Sequence, residues 1–220
     1  AAVSWLLEHG HPLVKVTIVP RGKSLGAAWY LPEERQITTF EQMFDEMASA
    51  LGGRASEEIF FGKISTGALS DLEKITKQAY SMVVYFGLNE KIGNISYYDS
   101  TGQQEYTFTK PYSEKTAQTI DEEISKLIES AYVRAKGILL ENKDKLEQLA
   151  QQLLTKEVIY REDLELIFGA RPFHEEKYIL DNGDSKVAET KEVPGIAELN
   201  PVEKEKQKDS ESNPISLIKE

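Results

Sequence analysis

STGALSDLEKITKQAYSMVVYFG (Ser65–Gly87) decides the fold class. Ala68, Leu72, Ile75, Ala79, Met82, Val83 and Phe86 share one face of a helix that turns about 100° per residue. Ser65-Thr66-Gly67 opens this helix and Gly87 ends it. On the same wheel Asp71 falls beside Ala68 and Ile75, at the edge of the apolar stripe and away from Glu73, Lys74 and Lys77. A carboxylate close to a buried face is costly unless it is paired or bound to a metal. The first turn also favours an anion through the helix dipole. Two readings therefore stand for Asp71: an ordinary N-terminal helix carboxylate, or a metal ligand.

Upstream, Thr38-Thr39 caps another helix, with Glu41 and Gln42 at the capping-box positions. Phe40, Met43, Phe44, Met47 and Leu51 form its apolar face. Gly52-Gly53 marks a break or a point of close packing, and Arg54–Phe61 resumes the helical pattern. Glu57 and Glu58 read as a solvated helix face, or as a hold on a ligand or on Arg54. VKVTIV (Val14–Val19) alternates as a strand, Pro20-Arg21-Gly22 turns, and Leu25–Leu31 reads as a second strand. Val3, Leu6 and Leu7 have helical spacing, with Gly10 to close the helix. Ala1-Ala2 offers no cap. The segment is either the second half of a longer helix or a frayed terminal one.

Downstream, Ile95–Tyr98 and Tyr106–Thr109 are the strand candidates. From Ser113 a long helix carries Ile120, Ile124, Leu127, Ile128, Ala131, Ala135, Ile138 and Leu139 in one stripe. A second carries Leu146, Leu149, Leu153 and Leu154. A short third, Arg161–Phe168, stops at Gly169 and Pro172. Residues 174–220 are rich in Glu, Lys, Ser and Asn, and cannot bury enough apolar surface to offset their ordering entropy. They read as a disordered acidic tail. The expected class is mainly α (α+β), with a small sheet and a C-terminal helical bundle.

The 220 residues are 40% hydrophobic, enough for one domain with a core and an appendage. There is no cysteine, so a metal must be held by His, Asp or Glu. The three histidines are His9, His11 and His174. His9 and His11 flank Gly10 in a loop and share no helix face, so they read as surface residues. The net charge of −11 repels a phosphate backbone, so nucleic acid is not an expected partner. No apolar run approaches the roughly 20 residues that span a bilayer. No G-x-x-x-x-G-K-[ST] phosphate loop occurs.

Several segments in order are similar to the peptidase domain of the FtsH family, including its mitochondrial m-AAA relatives. They are LLEHGHPLVKVTIVPRG (Leu6–Gly22), LGAAWYLP (Leu25–Pro32), LGGRASEEIFFG (Leu51–Gly62) and ISTGALSDLEKIT (Ile64–Thr76). FGLNEKIG (Phe86–Gly93), KPYSEKTAQTIDEEI (Lys110–Ile124) and FGARPF (Phe168–Phe173) complete the set. The likeness covers residues 1–173, which the resemblance divides into a metal-site half (1–109) and a C-terminal helical part (110–173). The tail is not covered.

In that family an H-E-x-x-H helix supplies two zinc-binding histidines and a general-base glutamate, and runs directly into a segment like AAVSWLLEHG. The resemblance implies that this chain begins just after that motif and is inactive alone. It implies Asp71, in the T-G-A-x-x-D-L motif, as the third zinc ligand. It implies Glu57 as an acidic residue behind the site. Leu25, Gly26, Ala27, Ala28, Trp29 and Tyr30 match the strand along the substrate cleft, whose edge would pair with extended polypeptide. The implied reaction is zinc-assisted peptide hydrolysis. The implied parent also carries an AAA+ module with ATP and Mg, and assembles as a homo-hexamer. It would be held by an N-terminal anchor on the cytoplasmic face of a bacterial inner membrane, with the mitochondrial matrix side as the alternative. A non-catalytic scaffold of the same fold is the competing reading, and a helical interaction module with a recruiting acidic tail is a third.

Overall fold

The computed structural model describes residues 1–20, 22, 26–31, 37–99, 111–171 and 173. The chain divides into a unit Ala1–Glu176 and a unit Lys177–Glu220, and the second lies outside the described residues. The expectations for Leu25, Tyr106–Thr109, His174 and the tail lie there too.

Helix α1 (Ala2–Leu6) is only five residues long, and Leu7 after it is already extended. Gly10 therefore does not cap it. Its role is close packing: a Cβ at Gly10 would stand 2.0 Å from the Ser4 carbonyl oxygen. Strands β1 (Leu13–Thr17) and β2 (Ala27–Tyr30) pair antiparallel, with Val16 opposite Ala28. β1 also pairs antiparallel with β3 (Val158–Tyr160), so the sheet order is β2-β1-β3. β3 leaves no signal in the sequence, because three residues are too few to show a period. Thr17 Oγ1 and the Ile18 amide both donate to the Glu157 carbonyl, at 2.9 and 3.0 Å, and hold it in place.

Helix α2 (Phe40–Phe61) starts at a Thr39–Gln42 capping box and runs unbroken through Gly52-Gly53. Gly52 marks close packing rather than a break: a Cβ there would come within 2.9 Å of Val3 Cγ2. A 3-10 turn (Thr66–Ala68), α3 (Leu69–Tyr80) and a π-helical turn (Ser81–Tyr85) follow. The wider π turn shifts the expected stripe. Met82, Val83 and Val84 are buried, whereas Phe86 is exposed. Ile95–Tyr98 is irregular rather than a strand, and its described backbone bond runs from the Tyr97 amide to the Val84 carbonyl.

Helix α4 (Glu114–Glu141) is capped by Ser113 and packs along α2 and α3. Helices α5 (Lys143–Lys156) and α6 (Arg161–Phe168) pack on each other. Leu154 was expected in the α5 stripe but is exposed, because α5 covers the core through one narrow face at Leu149. The main core draws on all of these elements: Val3 and Trp5, Met47 and Leu51, Ile75, Ala135 and Leu139, Ile159, Leu164. Burying a side chain such as Met47 or Leu51 contributes about 1.5–3 kcal/mol relative to leaving it exposed. Among the described residues no helix is long and apolar enough to cross a membrane.

Gly137 lies within α4 with open space where a Cβ would stand. Gly137→Ala is expected to stabilise the fold by about 0.5–1 kcal/mol, seen as a raised thermal midpoint. A lowered midpoint would contradict the helical backbone at that position.

Candidate functional site

The end of α2 fixes the start of the Asp71 helix. Glu57 accepts two hydrogen bonds from Ser65, from its hydroxyl at 2.7 Å and its amide at 2.9 Å. These bonds hold the Glu57 carboxyl below the usual carboxylate range. Ser65 Oγ in turn accepts from the Gly67 amide at 3.1 Å, which caps the 3-10 turn. Asp71 follows in the first turn of α3. Glu57 thus acts on the turn that leads into Asp71. Glu58, one residue on, accepts from the Tyr132 hydroxyl and pairs with Lys136 at 3.0 Å, tying α2 to α4. It is neither a ligand candidate nor a merely solvated residue.

Asp71 is exposed, not half-sunk at the edge of the core as the wheel suggested. The buried face of α3 runs through Ile75 and Ala79, with Leu72 partly buried against the same core, and Asp71 stands to the side of that line. Asp71 opens instead onto a pocket of about 410 Å³. Ala1 and Ser4 line it on one side, and Gly26, Ala28 and Tyr30 on another. Gly26 just before β2 and Ala28 and Tyr30 within it are alternate positions and present one face, as period two requires. β2 is an edge strand of the described sheet. Burial, reinforced by the Asp71 charge, pushes the Tyr30 phenol up to about 12. That effect marks how close Asp71 stands to β2. Ala27 and Trp29 are not on the pocket wall, and Lys15 lies over the Trp29 ring at 4.7 Å.

His11, expected as a surface residue, and Glu46, with no marker in the sequence, line the same pocket. Burial pushes the Glu46 carboxyl up, but Lys74 and Gln78 outweigh it and hold it below the ordinary range. Lys74 donates to it at 2.7 Å and Gln78 at 3.0 Å. Glu46 is thus already engaged. Its signal in the sequence was absent, because its partners lie 28 and 32 residues away. The His9 amide donates to Asp45 at 3.2 Å, and its side chain is not on the pocket wall.

Among the described residues no three His, Asp or Glu side chains gather closely enough to hold a metal ion. The residues present therefore do not complete a zinc site by themselves. Asp71 fits one place in such a site, as an oxygen donor open to the pocket. A larger groove of about 700 Å³ lies between Phe40, Phe44, Leu88 and Leu127. It contains none of the candidate residues. Its buried carboxylate, Glu123, is already held by Asn89 and Lys91. The smaller pocket is therefore the candidate site.

Comparison with known proteins gives the family of the chain. The chain is 67% identical over 171 residues to the ATP-dependent zinc metalloprotease FtsH of Parabacteroides distasonis, covering 78% of this chain and 25% of that protein. It is 57% identical over 163 residues to the protein of the same name in Karelsulcia muelleri, covering 74% of this chain and 26% of that one. It is 51% identical over 175 residues to the mitochondrial inner membrane m-AAA protease component AFG3L2 of Mus musculus, covering 80% of this chain and 22% of that one. The chain thus spans about a quarter of the length of these relatives. The model of peptidase family M41 matches residues 1–167, and the chain belongs to that family.

Proposed function

We propose that the protein carrying this chain is an ATP-dependent zinc metalloendopeptidase, and that this chain is the C-terminal portion of its peptidase domain (1–173) with an acidic tail (174–220). The observation that supports it is the shared pocket of Asp71, Ala1 and the Gly26/Ala28/Tyr30 face of β2. Asp71 would be one zinc ligand, with two histidines and a general-base glutamate supplied by an H-E-x-x-H segment running into Ala1. Bound zinc polarises a scissile carbonyl and acidifies a water molecule. Glu57 holds the turn before Asp71 through Ser65. The β2 edge would align an extended polypeptide by main-chain hydrogen bonds, with little demand on its sequence. Unfolded or membrane proteins are the proposed substrates.

The names of the relatives extend this reading to ATP dependence and an inner-membrane location. An ATP- and Mg-binding AAA+ module, a membrane anchor and a homo-hexameric assembly belong to the proposed whole protein. Its peptidase domains would face the bacterial cytoplasm, or the matrix in a mitochondrial relative.

The full-length protein is expected to carry about one zinc per chain and to cleave casein in a chelator-sensitive way. Residues 1–220 alone are expected to cleave nothing. A full-length protein without zinc or hydrolysis would leave the scaffold reading in its place. Cleavage by residues 1–220 alone would overturn the incomplete site.

A further inference from the structure

Helix α1 has no further turn to steady its C-terminal end, because Leu7 is already extended. Its described intrahelical bond runs from the Trp5 amide to the Ala1 carbonyl at 3.0 Å. Yet Ala1 and Ser4 form part of the pocket wall.

The far end of the domain supplies the hold. Arg171 Nη2 donates to the carbonyls of Leu7 at 3.0 Å and Glu8 at 3.1 Å, and also to that of Gly10. Trp5 Nε1 donates to the Gly169 carbonyl at 3.2 Å. These contacts join segments 161 to 164 residues apart. A helix end leaves carbonyls without partners and carries partial negative charge. A guanidinium meets both needs with one group, because it carries several donors and a permanent positive charge.

The clamped turn is fixed from its other sides as well. Ser4 Oγ donates to the His11 carbonyl at 2.9 Å. The His9 amide donates to Asp45, which is buried and paired with Arg134 at 2.9 Å. At about 1.5 Å of rise per residue, α1 carries any displacement of this turn to Ala1 with little length to absorb it.

We infer that Arg171 is a positioning residue for the candidate site: its guanidinium clamps Leu7–Gly10 and so sets the placement of α1 against Asp71. The inference rests on the metal-site reading above. It is tested in the full-length protein with Arg171→Ala, Arg171→Lys and the control Leu149→Ala. Leu149 is buried in α5 and makes none of the clamp's hydrogen bonds, so its truncation lowers stability while leaving those bonds in place. Two quantities are measured well below the thermal midpoint of each variant: amide exchange of residues 2–11 in metal-free protein, and the rate of zinc loss to a chelator.

Arg171→Ala is expected to speed exchange in residues 2–11 and zinc loss by about tenfold or more, the scale seen for groups that orient ligands. Arg171→Lys should recover part of both, since an ammonium keeps the charge and the donors but ends one atom short of the Nη2 position. Leu149→Ala should change neither, despite its lower midpoint. Unchanged exchange in Arg171→Ala would overturn the clamp. Faster exchange with unchanged zinc loss would overturn its link to the site. A wild-type protein that binds no zinc, with exchange still dependent on Arg171, would instead overturn the metal-site reading.

Discussion

Asp71→Ala in the full-length protein is expected to abolish tight zinc binding and with it peptide hydrolysis, while leaving the thermal midpoint of the metal-free protein almost unchanged. The two halves of this result come from different observations. Asp71 is exposed and in no described ion pair, so its removal opens no cavity and should shift stability by no more than about 0.5 kcal/mol. It nonetheless opens onto the pocket shared by Ala1 and β2. Groups that merely orient metal ligands cost about 10–100-fold in metal affinity when removed. Removing a ligand itself should exceed that, with a loss of more than about 100-fold. Zinc per chain after dialysis against a weak chelator measures it directly.

Glu73→Ala is the matched control. Glu73 sits two residues along the same helix, is exposed, and pairs with Lys77 at 2.6 Å. Its loss should leave zinc untouched. Equal zinc in wild type and Asp71→Ala would remove Asp71 from the ligand set and leave it as a first-turn carboxylate. Loss of zinc in both variants would point to a general effect of charge on α3.

Both readings of Asp71 could be stated from the sequence, but the choice between them could not. Periodicity located its helix, because Ile75 and Ala79 face a core that sequence patterns report well. It misplaced Asp71 itself, since a wheel gives the direction of a side chain but not what stands opposite it. The pocket was illegible for a related reason. Its walls come from α1, β2, α2 and α3, and no local pattern records their meeting.

Long-range polar partners escaped in the same way. Asp45 and Glu123 look like ordinary helix-surface acids, yet both are buried against cations from other segments. Arg171 likewise gave no hint of its contacts with Leu7 and Glu8. The helices and the first two strands were legible because their signals are local: the cap at Thr39, the apolar stripe that follows Ser113, and alternation in β1. Gly52-Gly53 shows the limit of such signals. A glycine pair can signal a break or a contact, and only the position of Val3 decides for contact.

Gly10→Ala should be the most destabilising single-methyl change in the first turn region. The added Cβ would stand 2.0 Å from the Ser4 carbonyl oxygen, 2.8 Å from its carbon and 2.9 Å from its Cα. All three are backbone atoms, so no side chain can rotate away. Ser4 cannot easily retreat either, because it is buried and its hydroxyl is committed to the His11 carbonyl. Gly10 is itself held, by its amide on the Leu7 carbonyl and by Arg171 on its own carbonyl. Overpacking of a filled interior costs about 1–3 kcal/mol, and a clash confined to backbone belongs at or above the top of that range. For a domain of this size, about 3 kcal/mol lowers the midpoint by about 6–12 °C. Gly53→Ala provides the contrast: nothing lies within 4 Å of its would-be Cβ, so the same methyl should be tolerated. A Gly10→Ala midpoint within 2 °C or so of wild type would mean that the turn and α1 separate readily. The path from Arg171 through Gly10 to Ala1 would then be too soft to set the pocket.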